Sequence, residues 1–115
     1  AWNNPNFDTS ITKGKGWLLS DKGIIIAFAT RYPTDRIALF YCKGKFQRKG
    51  FGSKLIHKIE DEAKKEGLNS LSTEASLISY GLFLKNEWKI IRKEKVTINN
   101  IFFERYKMTK IIKIS

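Results

Sequence analysis

The strongest constraint on this chain is a junction. An apolar run at Arg36–Cys42 (RIALFYC) leads straight into a basic loop that contains Gly50-Phe51-Gly52. Beyond it Leu55, Ile56, Ile59 and Ala63 recur at helical spacing, with Gly67 placed to end the run. The first pattern predicts a strand and the second an amphipathic helix. A loop between them aims the unbonded amides of a helix start at one point, and two glycines let an anion approach the backbone without a Cβ in the way. The loop is neither of the common nucleotide signatures. The third glycine of the dinucleotide fingerprint is missing after Gly50 and Gly52, and no Gly-x-x-x-x-Gly-Lys-Ser/Thr occurs. A kinase or a dehydrogenase is disfavoured. By itself the junction fits an ordinary tight turn as well as a ligand loop.

Charge sharpens the choice. The 115 residues carry 22 Lys and Arg against 11 Asp and Glu, a formal charge of +11. The excess is not spread evenly. Residues 43–54 (KGKFQRKGFGSK) hold five basic groups and no acid, residues 85–115 hold nine basic groups and three acids, and the remaining stretches cancel. Lys outnumbers Arg by 17 to 5, whereas bidentate recognition of phosphates and bases favours Arg, so a nucleic-acid partner loses ground. The length suits one domain over residues 1–115. A single cysteine, Cys42, excludes an internal disulfide and a four-thiolate zinc site. The longest apolar run, near residues 24–28, is far short of the roughly 20 residues that span a bilayer, and no signal-peptide pattern opens the chain. These features predict a cytoplasmic protein without membrane contact or metal. The first residues, Ala1-Trp2, lack an initiating Met, and residues are expected to be missing ahead of them.

Residues 1–16 read as irregular with a short helical remnant, residues 17–20 and 24–30 as strands joined by a turn at Asp21-Lys22-Gly23, and residues 31–35 as a loop. After the central helix, residues 68–75 read as a strand, Ser76 as the cap of a second helix reaching about Asn86, and residues 88–96 as a strand. Asn99-Asn100 supplies a hairpin turn, and residues 101–114 return as the last strand. Strands alternate with helices only in the middle. The predicted class is α/β in the α+β sense, a mixed, mostly antiparallel central sheet with helices on its faces.

Two segments carry a family resemblance. Gln47-Arg48-Lys49-Gly50-Phe51-Gly52 resembles the Gln/Arg-x-x-Gly-x-Gly/Ala motif of the GCN5-related N-acetyltransferase (GNAT) superfamily. Residues 75–88 (ASLISYGLFLKNEW) are similar to the family segment in which Asn or Ser opens a helix, an aromatic follows seven residues later and Gly-Phe closes it. The run FERYKMTK at residues 103–110 resembles the family's last strand. The resemblance covers residues 17–114 and implies the acyl-CoA N-acyltransferase fold. It also implies an acetyl-CoA-dependent N-acetyltransferase acting on an amine acceptor, in which acetyl-CoA is the cosubstrate and the loop amides hold its pyrophosphate.

Residue by residue, the resemblance implies that Arg48, Lys49, Gly50, Phe51, Gly52 and Ser53, opened by Gln47, carry the pyrophosphate, with Lys43, Lys45 and Lys54 near a more distal phosphate. The strand before the loop would splay from its neighbour. Phe40, Tyr41 and Cys42 would then face the pantetheine arm, and a backbone N–H near Cys42 would polarise the thioester carbonyl. Ser76 and Phe83 belong to the same cofactor segment. Phe83 stands where many members have a Tyr that protonates the leaving thiolate. Tyr80, one turn earlier, is a substitute that reads equally as packing. Glu74 is the acid nearest the expected mouth and the candidate base, with Asp35 second. Glu87 replaces the usual Gly before Trp88, so the helix is expected to end without a left-handed glycine and with local distortion. His57 reads as a surface residue and the Cys42 side chain as a small hydrophobe.

Members of the family usually begin with a strand and one or two helices ahead of residue 17. That strand and helix are expected to be missing here, which leaves a sheet edge that would favour pairing as a homodimer. Two other readings stay open beside the enzyme: a non-catalytic coenzyme A binding module, and a small basic nucleic-acid binder. The acceptor is not legible, although a basic surface disfavours polycationic ones.

Overall fold

The computed structural model describes residues 15–44 and 50–113, and residues 6–8 in backbone. Its strands are β1 (Asn6–Asp8), β2 (Lys15–Asp21), β3 (Ile24–Arg31), β4 (Arg36–Cys42), β5 (Ser70–Ser76), β6 (Lys89–Ile98) and β7 (Ile101–Ile111). Helix α1 (Phe51–Lys65) joins β4 to β5, and α2 (Tyr80–Lys85) joins β5 to β6. The strands form one sheet in the order β1-β2-β3-β4-β5-β7-β6. Every neighbouring pair is antiparallel except β4 and β5. The expected mixed, mostly antiparallel sheet is therefore present.

Local sequence accounts for most boundaries. Lys22 and Gly23 take positive φ angles of 51° and 77°, and Asn99 and Asn100 take 50° and 64°, as two-residue hairpin turns demand. In α1 the buried residues Leu55, Ile56, Ile59 and Ala63 form one stripe against β2, β3 and β4. The core continues through Trp17, Leu19, Ile26, Ile37, Leu71, Phe83, Trp88 and Met108. His57 is exposed.

Three expectations need correction. Residues 1–16 are not uniformly irregular: β2 begins at Lys15, and β1 pairs with it from Asn6↔Ser20 to Asp8↔Leu18. The sheet edge expected to lack a strand thus carries a short one, because β2 offers an open backbone edge there. The second helix does not start at Ser76. Reciprocal bonds of 3.1 Å, from Ser79 N–H to Ser76 Oγ and from Ser76 N–H to Ser79 Oγ, close a turn first, and α2 begins at Tyr80. Its far end is also more regular than expected. Trp88 N–H donates to Phe83 O and Glu87 N–H to Leu84 O, both at 3.0 Å, the pattern of a Schellman cap with Glu87 as its left-handed residue at φ 70°.

A glutamate in that conformation is strained by about 1–2 kcal/mol, which glycine would relieve at some cost in backbone entropy. Glu87→Gly is therefore expected to stabilise the fold by about 0.5–1 kcal/mol. A urea titration would register this as a higher midpoint at unchanged slope.

Candidate functional site

The parallel pairing of β4 with β5 lasts two residues, Arg36↔Ser72 and Ile37↔Thr73. Thr73 Oγ1 donates to Ile37 O at 2.9 Å as the last link. Beyond it the strands part. The outer end of β4 stays on β3, and Lys43 N–H donates to Ile26 O at 2.8 Å. Successive strand residues turn their backbone groups to opposite sides, so the N–H and C=O groups of Phe40 and Cys42 are directed into the gap left by β5.

A cleft of about 770 Å³ occupies this gap. On one side it is lined by Phe40, Tyr41 and Cys42, and beyond them by Gly50, Gly52 and Ser53 at the start of α1. Gly50 precedes the helix at φ 86°, and α1 has no side-chain cap and no acid in its first turn. The first intrahelical bond runs from Lys54 N–H to Gly50 O at 3.0 Å. The positive end of a 15-residue dipole therefore faces the cleft with no acidic residue in its own first turn. Gly52 has a packing reason as well: a Cβ there would lie 2.5 Å from Leu82 Cδ2, so α1 and α2 approach through this glycine.

The opposite wall is Ser76, Ile78, Ser79, Gly81, Leu82 and Lys85. Of these only Ser76 was legible as a site residue. Leu82 and Lys85 stand three residues apart on α2, a spacing that puts them on one face, whereas Ile78 and Ser79 reach the cleft from the turn before the helix. Lys85 also changes the reading of the C-terminal charge. Of its basic groups, Lys93 pairs with Glu104, Arg92 and Arg105 with Glu94, Lys107 with Glu74 and Lys110 with Glu60, so this region is more than a solvated face. Gln47, Arg48 and Lys49, together with Lys45, lie outside the described residues.

Not every expected residue lines the cleft. Phe83 is buried behind it, edge-on to Phe40 and Trp88 with ring centres 5.3 and 4.9 Å away. Tyr80 packs on Tyr106 at 4.4 Å between ring centres. Phe51 is half-buried against the core. Burial pushes the Cys42 thiol up, away from a reactive thiolate. Glu74 is held by Arg36 at 2.5 Å and Lys107 at 3.2 Å. The Arg36 hydrogen bond, helped by Lys107, outweighs partial burial and brings its carboxyl down from 4.5 to about 2. Glu74 is thus a weak base at neutral pH.

Behind the cleft lies a polar knot that the sequence did not announce. Glu60, 5% exposed, accepts Trp88 Nε1–H at 2.9 Å and two bonds from Lys110 Nζ at 3.1 Å. Lys110 Nζ also donates to Asn86 O at 2.9 Å. Glu60 follows Ile56 by four residues, so the helical stripe itself carries it inward.

Comparison with known proteins agrees with the fold. Residues 4–110 match the family model described as an acetyltransferase (GNAT) domain. No curated protein matches the sequence. Among solved structures, a GCN5-related N-acetyltransferase of Rhodopseudomonas palustris superposes with a TM-score of 0.78 at 24% identity, over 84% of this chain and 61% of that one. The ribosomal-protein-S18-alanine N-acetyltransferase of Escherichia coli gives 0.69 at 18% identity, over 87% and 70% of the two chains. The yncA structure from Salmonella typhimurium, which holds its cofactor acetyl-CoA, gives 0.70 at 15% identity, over 88% and 66%. The chain therefore spans less than two thirds of the length of the first of these.

Proposed function

The chain belongs to the GNAT acetyltransferase family, and from that premise we propose that it transfers an acetyl group from acetyl-CoA to a primary amine by direct attack while both substrates are bound. The observation that carries this reading is the parting of β4 from β5 beside the start of α1, where the N-cap residue is a glycine with no side chain to offer. The two ends of the cleft suit the two ends of the cosubstrate. The first turn of α1, with Gly50, Gly52 and Ser53, suits a diphosphate, and the strand edge at Phe40 and Cys42 suits an amide-bearing arm. Lys85 adds a cation on the far wall. Gln47, Arg48 and Lys49 are proposed to continue the phosphate cradle, and Phe51, Ser76 and Phe83 to shape it.

In the transfer the amine lone pair adds to the thioester carbon, the carbon–sulfur bond breaks, the sulfur leaves as thiolate, and the extra proton on nitrogen passes to that thiolate or to water. The strand edge at Phe40 and Cys42 is proposed to supply the backbone N–H that meets the charge developing on the carbonyl oxygen. Among the described residues lining the cleft there is no carboxylate and no imidazole. The ammonium of the acceptor would therefore lose its proton to water, and Glu74 would act by holding Arg36 and Lys107 in place. A coenzyme A binding module without catalysis is the second reading, favoured by Phe83 in place of a proton donor.

The test is release of coenzyme A thiol with a panel of amines. Turnover is expected with at least one class, with kcat/KM rising as pH climbs toward the acceptor's own pKa. Glu74→Gln should leave the shape of that profile unchanged. A profile that loses a limb near neutral pH in Glu74→Gln would restore Glu74 as the base.

A further inference from the structure

We propose that Asn86 is a positioning residue that sets the Ser53 hydroxyl as a hydrogen-bond donor toward the diphosphate of the cosubstrate, an inference that rests on the acetyl-CoA reading above. Asn86 lies at the C-terminal end of α2 and is 8% exposed. Its Nδ2 donates to Leu82 O at 2.9 Å and to Ser53 Oγ at 2.9 Å. The carbonyl of Leu82 can only accept, so the amide orientation is fixed and nitrogen must face Ser53. The Asn86 backbone is pinned too, because its carbonyl accepts Lys110 Nζ, which is held in turn by Glu60.

The consequence falls on Ser53. One lone pair of its oxygen is taken by Asn86, and its proton has no acceptor among the described residues. Ser53 stands in the first turn of α1 and lines the cleft beside Gly50 and Gly52. Its hydroxyl is therefore arranged to donate in the same direction as the helix-start amides. An aspartate at 86 would reverse this: a carboxylate accepts from Ser53, turns its proton away from the cleft and adds a negative charge nearby.

Two ligands separate positioning from folding. Acetyl-CoA carries the diphosphate, and S-acetylpantetheine carries the same thioester without it. Asn86→Asp is expected to weaken acetyl-CoA binding at least tenfold and S-acetylpantetheine binding less than twofold, each followed by chemical-shift titration. Ser53→Ala should show the same selectivity, and the combined variant should lose no more than the weaker-binding single variant. Losses shared equally by both ligands, additive losses in the combined variant, or unchanged acetyl-CoA affinity would each overturn the proposal. If Asn86→Asp does not fold, Asn86→Ala removes the donor without adding charge, and a loss of about threefold confined to acetyl-CoA is expected. Failure of the unaltered protein to bind acetyl-CoA would instead reject the function on which this rests.

Discussion

Replacing Glu66 by alanine is expected to cost about 3–5 kcal/mol of stability, a fall in melting temperature on the order of 10–20 °C. The cause is Arg31, whose side chain is 0% exposed and whose Nη2 meets Glu66 Oε2 at 2.5 Å. Its Nε and Nη1 have no hydrogen-bond partner among the described residues, and the Trp17 ring lies 5.2 Å from the guanidinium carbon. Removing Glu66 would leave this cation buried without a carboxylate partner among the described residues. The double variant Arg31→Met, Glu66→Gln should recover most of the loss, because an apolar side chain needs no counter-charge. Differential scanning calorimetry of the two variants beside the unaltered chain checks this, and a Glu66→Ala variant as stable as the unaltered chain would contradict it.

The same carboxylates set the acid limit. Burial works to raise Glu66, but hydrogen bonds from Lys15 and Arg31 prevail and leave it below its ordinary value, and Glu74 lies at about 2. A carboxyl depressed in the folded state contributes its full stability above its unfolded value and loses it as pH falls toward its folded one. Stability is thus expected to fall between about pH 4.5 and 2, with Glu74 alone accounting for roughly 3 kcal/mol.

Ser53→Glu is expected to move stability and binding in opposite directions. The first turn of α1 holds no acid, so a glutamate there complements the helix dipole and should raise stability by about 0.3–1 kcal/mol. The same charge would face the diphosphate. Like charges about 4 Å apart near a protein surface repel by about 4 kcal/mol, so acetyl-CoA affinity should fall by roughly 100-fold or more. A chain that is more stable yet does not bind would locate the anion site at this turn. Calorimetric titration beside a thermal melt reads both effects, and retained affinity would place the diphosphate elsewhere.

Much of this architecture is local chemistry and was legible. The period-3.6 stripe of α1, the hairpin residues Lys22-Gly23 and Asn99-Asn100, and the strand at Arg36–Cys42 declare themselves without neighbours. The near wall of the cleft follows from the same junction, since a strand, a glycine turn and a helix start must lie close together. The far wall did not follow. Whether Leu82 and Lys85 face the cleft depends on how α2 is rotated, and that is fixed by the approach of α1 through Gly52. The setting of Glu74 was hidden for a related reason. Its place at the strand end suggested a base, but its basicity is set by Arg36 and Lys107, which are distant in sequence. Arg31 and Glu60 show the same limit, because a charge looks solvated until its partner is known.

The most direct test is thiol release from acetyl-CoA, followed with a thiol reagent across polyamine, aminoglycoside, amino-acid and peptide amines, for the unaltered chain and for Ser53→Glu. The account predicts amine-dependent release by the unaltered chain and its loss in the folded Ser53→Glu variant. Release that is equally fast in both, or absent with every amine while acetyl-CoA still binds, would contradict transfer from this cleft.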